Sequence, residues 1–190
     1  APRVTRAPCA LHGADAAQPG PPTPSILTPE NRMPIYTPPL RDMQFVMHEL
    51  LHVVDELAAC PRHADVDEAT MNAIVEEAGR FAAEVVFPLN ASGDLEGCAL
   101  DRSTRTVRTP RGFKEAYHKF IEGGWPALAV DPEYGGQGLP VVLNQCLYEM
   151  LNSANQAWAM YPGLSHGAYE CLHAHGTDAQ KATYLPRLTS

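Results

Sequence analysis

Between Asp67 and Phe87 the apolar residues fall at Met71, Ile74, Val75, Ala78, Phe81, Ala82, Val85 and Val86. Steps of three and four gather these side chains on one face of a 3.6-residue helix and scatter them on a strand. Pro88 closes the run. The same period governs the stretch from Pro38 to Pro61, where Met43, Met47, Leu50, Leu51, Val54 and Leu57 are the apolar positions. Four further helices are expected over Phe113–Glu122, from Pro140 to about Met160, from about Leu164 to His175 and over Asp178–Leu188. Residues 89–112 carry Gly93, Gly97, Pro110 and Gly112 and read as loop, with Thr104–Val107 as a brief strand. Six amphipathic helices and almost no strand leave one fold class, an all-α bundle.

Charge and composition then remove several functions. The chain has 190 residues, 45% of them hydrophobic, and a formal net charge of −8. A surface of that sign does not release counterions from nucleic acid. No apolar run approaches the roughly 18 residues of a membrane span. Cys9, Cys60, Cys98, Cys146 and Cys171 are odd in number, widely spaced and free of C-x-x-C pairs. They read as thiols in a reducing compartment, which points to the cytoplasm. Residues 1–32 hold seven prolines among Ala, Gly and Thr, without sustained periodicity or a signal-peptide core. They are expected to be a disordered leader or non-native extension, dispensable for folding, ahead of a natural start near Met33.

Local motifs offer chemistry without compelling it. His48-Glu49-Leu50-Leu51-His52 fits H-E-x-x-H on an expected helix, the pattern in which two imidazoles at i and i+4 hold zinc and the Glu polarises its water. Glu76 or Glu77 lies at a plausible distance for a third ligand. The same five residues also fit the polar flank of an ordinary amphipathic helix, and no metal is assigned. His173 and His175, at i and i+2, diverge by about 200° on a helix and chelate poorly. Tyr134-Gly135-Gly136-Gln137-Gly138 lacks the lysine of a phosphate loop and reads as a turn packed against neighbouring backbone. Neighbouring acids such as Glu76-Glu77 and Asp55-Glu56 point about 100° apart and are solvated faces. No catalytic residue emerges from this pass.

The C-terminal stretch is written as a helix–turn–helix. Gly176 is expected as a left-handed stop, Thr177 and Gln180 have capping-box spacing, Asp178 lies in the first turn, and Pro186 ends or bends the helix near Leu185. Together with two other segments this stretch resembles the acyl-CoA dehydrogenase family, its N-terminal helical domain in particular. The second segment runs from Gly124-Trp125 to Pro132-Glu133-Tyr134-Gly135-Gly136-Gln137-Gly138. The third, Tyr36 to Phe45, resembles the N-terminal extension of a subgroup that includes the methylmercaptopropionyl-CoA dehydrogenases and other large bacterial members. The resemblance covers residues 33–190, with 33–64 as the subgroup's extension.

It implies an up-and-down helical bundle within an FAD enzyme of fatty acid metabolism. In such enzymes a Glu of a later helical domain takes the α-proton of an acyl-CoA thioester and the β-hydrogen leaves as hydride to flavin. Electron-transfer flavoprotein as partner and a homo-oligomer are implied as well. The family's flavin-contacting segment and catalytic Glu would lie beyond Ser190, so the fragment alone is expected to be inactive. One wall of the acyl pocket is implied at Ala159, Met160, Gly163 and Gly167. Read from the residues alone, Ala159 and Met160 are equally ordinary core and Gly163 a turn after Pro162. Two other functions stay open, a structural or interaction bundle without flavin and an H-E-x-x-H zinc hydrolase.

Overall fold

A computed structural model of the chain describes residues 35–189; the expectations for residues 1–32 lie outside them. The described part is all-α. Helix α1 (Leu40–Gln44) runs directly into a π-helical turn, Phe45–Leu50, and α2 spans Val53–Ala58. Helix α3 (Glu68–Phe81) likewise continues into a π-turn, Ala82–Val86. Helix α4 (Leu89–Glu96) leads to an antiparallel hairpin of β1 (Ala99–Asp101) and β2 (Thr106–Arg108). Helices α5 (Phe113–Glu122), α6 (Val141–His175) and α7 (Asp178–Leu188) complete the domain.

Element α6 is two helical arms that fold onto each other across Asn155, and it lies against α3, α4 and α7. Met71, Val75, Ala78 and Val86 from the α3 arm meet Phe120 from α5 and Leu147, Met150 and Trp158 from α6, all buried. Phe81 sits within 6.0–6.3 Å of the rings of Phe120, Trp125 and Trp158, and Phe120 meets Trp158 edge-on at 5.6 Å. Such tilted pairs align ring edges with ring faces. Met43 and Met47 extend this core into the N-terminal arm, where the Cys146 thiol lies 3.9 Å from the Met47 sulfur. Burial pushes that thiol's pKa up. Cys60, Cys98, Cys146 and Cys171 are all free.

Several sequence expectations are corrected. The helix expected over 38–60 is two pieces. The π-turn adds a residue to its turn, and His52 adopts a left-handed conformation (φ 48, ψ 45). Leu50 and Leu51 therefore swing outward, 60% and 53% exposed. The loop expected over 89–112 opens with α4: Pro88 ends one helix and starts the next, as its fixed φ and missing N–H permit at a helix N-terminus. Strand β2 lies slightly later than Thr104–Val107 and pairs Leu100 with Val107. Its turn is closed by Asp101, whose carboxylate accepts from Ser103 and Thr104 and has its pKa lowered to about 2, the Ser103 hydroxyl being the first cause.

Two helices are present as expected, but they divide at Asn155 (φ −162, ψ 88) rather than at residues 161–163. The chain turns there sharply enough to bring His166 within 3.1 Å of Asn144 and onto the Tyr148 ring. Pro162 sits inside the helix without ending it. Gly176 is extended (φ −70, ψ 151) rather than left-handed. Glycine suits it because a Cβ there would come within 2.5 Å of the Leu172 carbonyl oxygen. The capping box forms as expected. The Thr177 hydroxyl accepts from the Gln180 N–H at 3.3 Å, and the Gln180 side-chain oxygen accepts from the Thr177 N–H at 2.9 Å. Helix α7 spans Asp178–Leu188 as expected, with Pro186 inside it. No described helix is long and apolar enough to cross a membrane.

Candidate functional site

Asn155 organises the outer half of α6. It is 1% exposed. Its Oδ1 accepts from the Trp158 N–H at 3.1 Å, and its Nδ2 donates to the Val86 carbonyl at 3.4 Å. The first bond is an N-cap in mid-helix. The second ties the cap to the last residue of the α3 π-turn. The direction of residues 156–175 is thus set by one buried amide whose donor and acceptor are both used.

Beyond this cap, α6 has two unlike faces. Trp158, Ala159, Pro162 and Tyr169 turn inward. Met160 and Leu164 turn outward, 58% and 73% exposed, with Tyr161 beside them at 63%. Gly163 and Gly167 fall on the same outward face by helical spacing. A Cβ at Gly163 would stand 3.9 Å from the Tyr148 ring, an ordinary contact, and one at Gly167 would meet nothing within 4 Å. Three of the four expected pocket residues, Met160, Gly163 and Gly167, therefore share one uncovered face, while Ala159 is in the core. Tyr161 and Leu164 belong to that face and were missed by the sequence reading. Their signal was available: Met160-Tyr161 and Leu164 are large apolar residues at i, i+1 and i+4.

The far end of this half-helix is clamped by the glycine-rich turn. Residues 135–139 double back on 127–130, with Gln137, Gly138 and Leu139 N–H groups donating to the carbonyls of Ala127, Val130 and Leu128. Gly135 and Gly138 have φ of 87 and 66, the left-handed region glycine enters freely. Asp131 is the hub. Its carboxylate caps Glu133, pairs with Arg62 and lies 3.9 Å from the His173 ring. The Glu133 N–H first, then Arg62, hold its pKa below the usual carboxylate value. The Asp131 N–H donates to the Tyr169 hydroxyl, and Tyr169 stacks on His173 at 5.4 Å.

The H-E-x-x-H segment is pulled apart by the backbone. The π-turn ends at Leu50 and His52 is left-handed, so the i,i+4 register on one helix is lost. His48 Nε2 is 2.9 Å from Asn72 Oδ1, Glu49 pairs with Arg41 and Glu77 with Arg80. Among the described residues no three His, Cys, Asp or Glu side chains are grouped to hold a metal ion.

Fold and site together define an all-α domain with an uncovered apolar helix face beside a glycine-turn clamp. Residues 68–190 match the family Acyl-CoA dehydrogenase, N-terminal domain. The chain belongs to the acyl-CoA dehydrogenase family. It is 37% identical over 153 residues to the 3-methylmercaptopropionyl-CoA dehydrogenase of Ruegeria pomeroyi, a match covering 80% of this chain and 26% of that protein. It is 31% identical over 146 residues to the broad-specificity linear acyl-CoA dehydrogenase FadE5 of Mycobacterium tuberculosis, covering 77% and 24%. The chain thus spans about a quarter of the length of the curated relatives it matches.

Proposed function

We propose that this chain is the N-terminal helical domain of an FAD-dependent acyl-CoA dehydrogenase, and that the outward face of α6 forms one wall of the acyl pocket. The observation that carries this reading is the row Met160, Leu164, Gly163 and Gly167: an apolar ridge flanked by two positions without side chains, left uncovered within the domain. Large exposed apolar surface of this kind marks a place that something else covers. The acyl chain and the remaining domains are the proposed cover. The wall's part in the chemistry is to exclude water and align the chain while base and flavin, held elsewhere in the complete enzyme, abstract the proton and accept the hydride. Electron-transfer flavoprotein as acceptor, a homo-oligomeric assembly and a cytoplasmic setting complete the proposal.

The 190-residue segment alone is proposed to bind no flavin and to have no activity. Purification with added FAD should give a colourless protein. A stoichiometric flavin absorption band would overturn that part.

Gly163→Leu in the complete enzyme tests the wall. Leucine favours helix over glycine by up to about 1 kcal/mol, and its Cβ would meet nothing closer than the Tyr148 ring at 3.9 Å; thermal unfolding checks that the variant stays folded. The added side chain should shorten the preferred acyl chain, because each CH₂ denied burial forfeits up to about 0.8 kcal/mol of binding. A kcat/KM profile across chain lengths that matches the parent's would remove Gly163 from the pocket.

A further inference from the structure

Strand β2, helix α5 and the outer half of α6 enclose a second recess, a cleft of about 310 Å³ on the side of α6 reached by Tyr161. Its walls are aromatic: Phe113, Tyr117, Trp158 and Tyr161. The Tyr117 and Tyr161 rings meet edge to face at 5.5 Å. The Trp158 indole N–H is already donated to the Phe113 carbonyl at 3.1 Å, which pins the ring against the cleft. Lys114 and His118, one turn apart on α5, are exposed at the rim.

Charge distinguishes this cleft within an acidic chain. Three other recesses of comparable or larger size each include a carboxylate: Asp94 in one, Glu96 in another, Asp42 and Glu149 in a third. This one includes none. The cationic residues Arg102, Arg105, Arg108, Arg111, Lys114 and Lys119 crowd into 102–119 against a single acid, Glu115. Arg108 and Arg111 are held on Glu96, so their forked guanidinium groups are engaged away from the cleft. The cation left at the rim is a lysine, a point charge suited to a single carboxylate rather than to a planar two-point contact. An acid-free recess with low-dielectric walls concentrates that positive field. Its volume lies at the small end of sites that bury small molecules.

We propose that this cleft binds an amphipathic carboxylate, with its apolar body against Phe113, Tyr117 and Tyr161 over the buried Trp158 and its carboxyl group at Lys114 and His118. The site is read from its own lining and does not depend on the dehydrogenase activity proposed above.

Octanoate, octanol and octylammonium share one tail and differ in head-group charge, and they are the probes. Titrated into the 190-residue chain, octanoate should saturate and move the indole N–H resonance of Trp158 but not that of Trp125. Octanol should bind about tenfold more weakly and octylammonium more weakly still. Lys114→Glu, at an exposed position, should lower octanoate affinity about tenfold and leave octanol unchanged; Lys114→Gln should do so by a smaller factor, and it replaces the Glu variant if that one shifts the thermal midpoint. The proposal is overturned if octanoate shows no saturation by about 10 mM, if octanol binds as tightly, if the Trp158 resonance stays still, or if removing the lysine charge changes nothing.

Discussion

Gly136→Ala is expected to destabilise the domain by about 3 kcal/mol, the upper end for forcing extra atoms into a packed site. A Cβ on residue 136 would stand 2.0 Å from the Val130 carbonyl oxygen and 2.6 Å from the Val130 Cβ. The obstacle is main chain, so it cannot rotate away. Relief requires opening the hydrogen bonds that bring Gly138 onto Val130 and Gln137 onto Ala127. In a domain of this size that energy corresponds to a fall of roughly 6–12 °C in Tm. Gly167→Ala is the control: nothing lies within 4 Å of its added carbon, and helix propensity favours alanine by up to about 1 kcal/mol. Thermal unfolding of the two variants should move in opposite directions. A Gly136→Ala midpoint within about 2 °C of the parent would mean the turn does not pack as described.

Trp158→Ala is expected to cost about 3–5 kcal/mol, as large aromatic deletions in cores do. The side chain is 1% exposed and touches both Phe81 and Phe120. Its loss also removes the donor to the Phe113 carbonyl. That amount is a large fraction of the 5–15 kcal/mol that typically holds a domain together. Urea unfolding should show a much lower midpoint, with Trp158→Phe intermediate because it keeps a ring but not the N–H. A Trp158→Ala midpoint close to that of the parent would show that the aromatic cluster is not the centre of the core.

What the sequence made legible was the part governed by period and by capping. The α3 stripe of Met71, Val75 and Ala78 is buried as its spacing requires, and the Thr177–Gln180 box closes. The failures have two causes. A π-turn changes the number of residues per turn while leaving the apolar pattern superficially helical. Leu50 and Leu51 thus kept their spacing on paper and lost their place in the core. Pro162 looked like the break in α6 because proline removes a helix donor. The actual break is at Asn155, a residue whose side chain can replace a backbone bond with its own. Asn155 and Trp158 do have cap spacing, but nothing marks that pair as a cap until Val86 is seen across from it. For the candidate wall, family resemblance supplied the positions. Tyr161 and Leu164 had a signal in their apolar spacing, whereas turning Ala159 inward needed the coordinates.

The interruption at Asn155 makes α6 a lever. Residues 141–154 form the fixed arm, keyed into the core by Leu147, Met150 and Leu151. The outer arm reaches Gly167 twelve residues on, roughly 18 Å at 1.5 Å per residue, so a tilt of about 5° at the fulcrum carries that end sideways by about 1.5 Å. That displacement is close to the width of one methyl group, and on the fixed arm it is felt at Asn144 and Tyr148, which His166 contacts. A substitution near Val86 or at residue 155 can therefore widen or narrow the surface around Met160 and Gly167 from a distance, without altering a single residue that lines it.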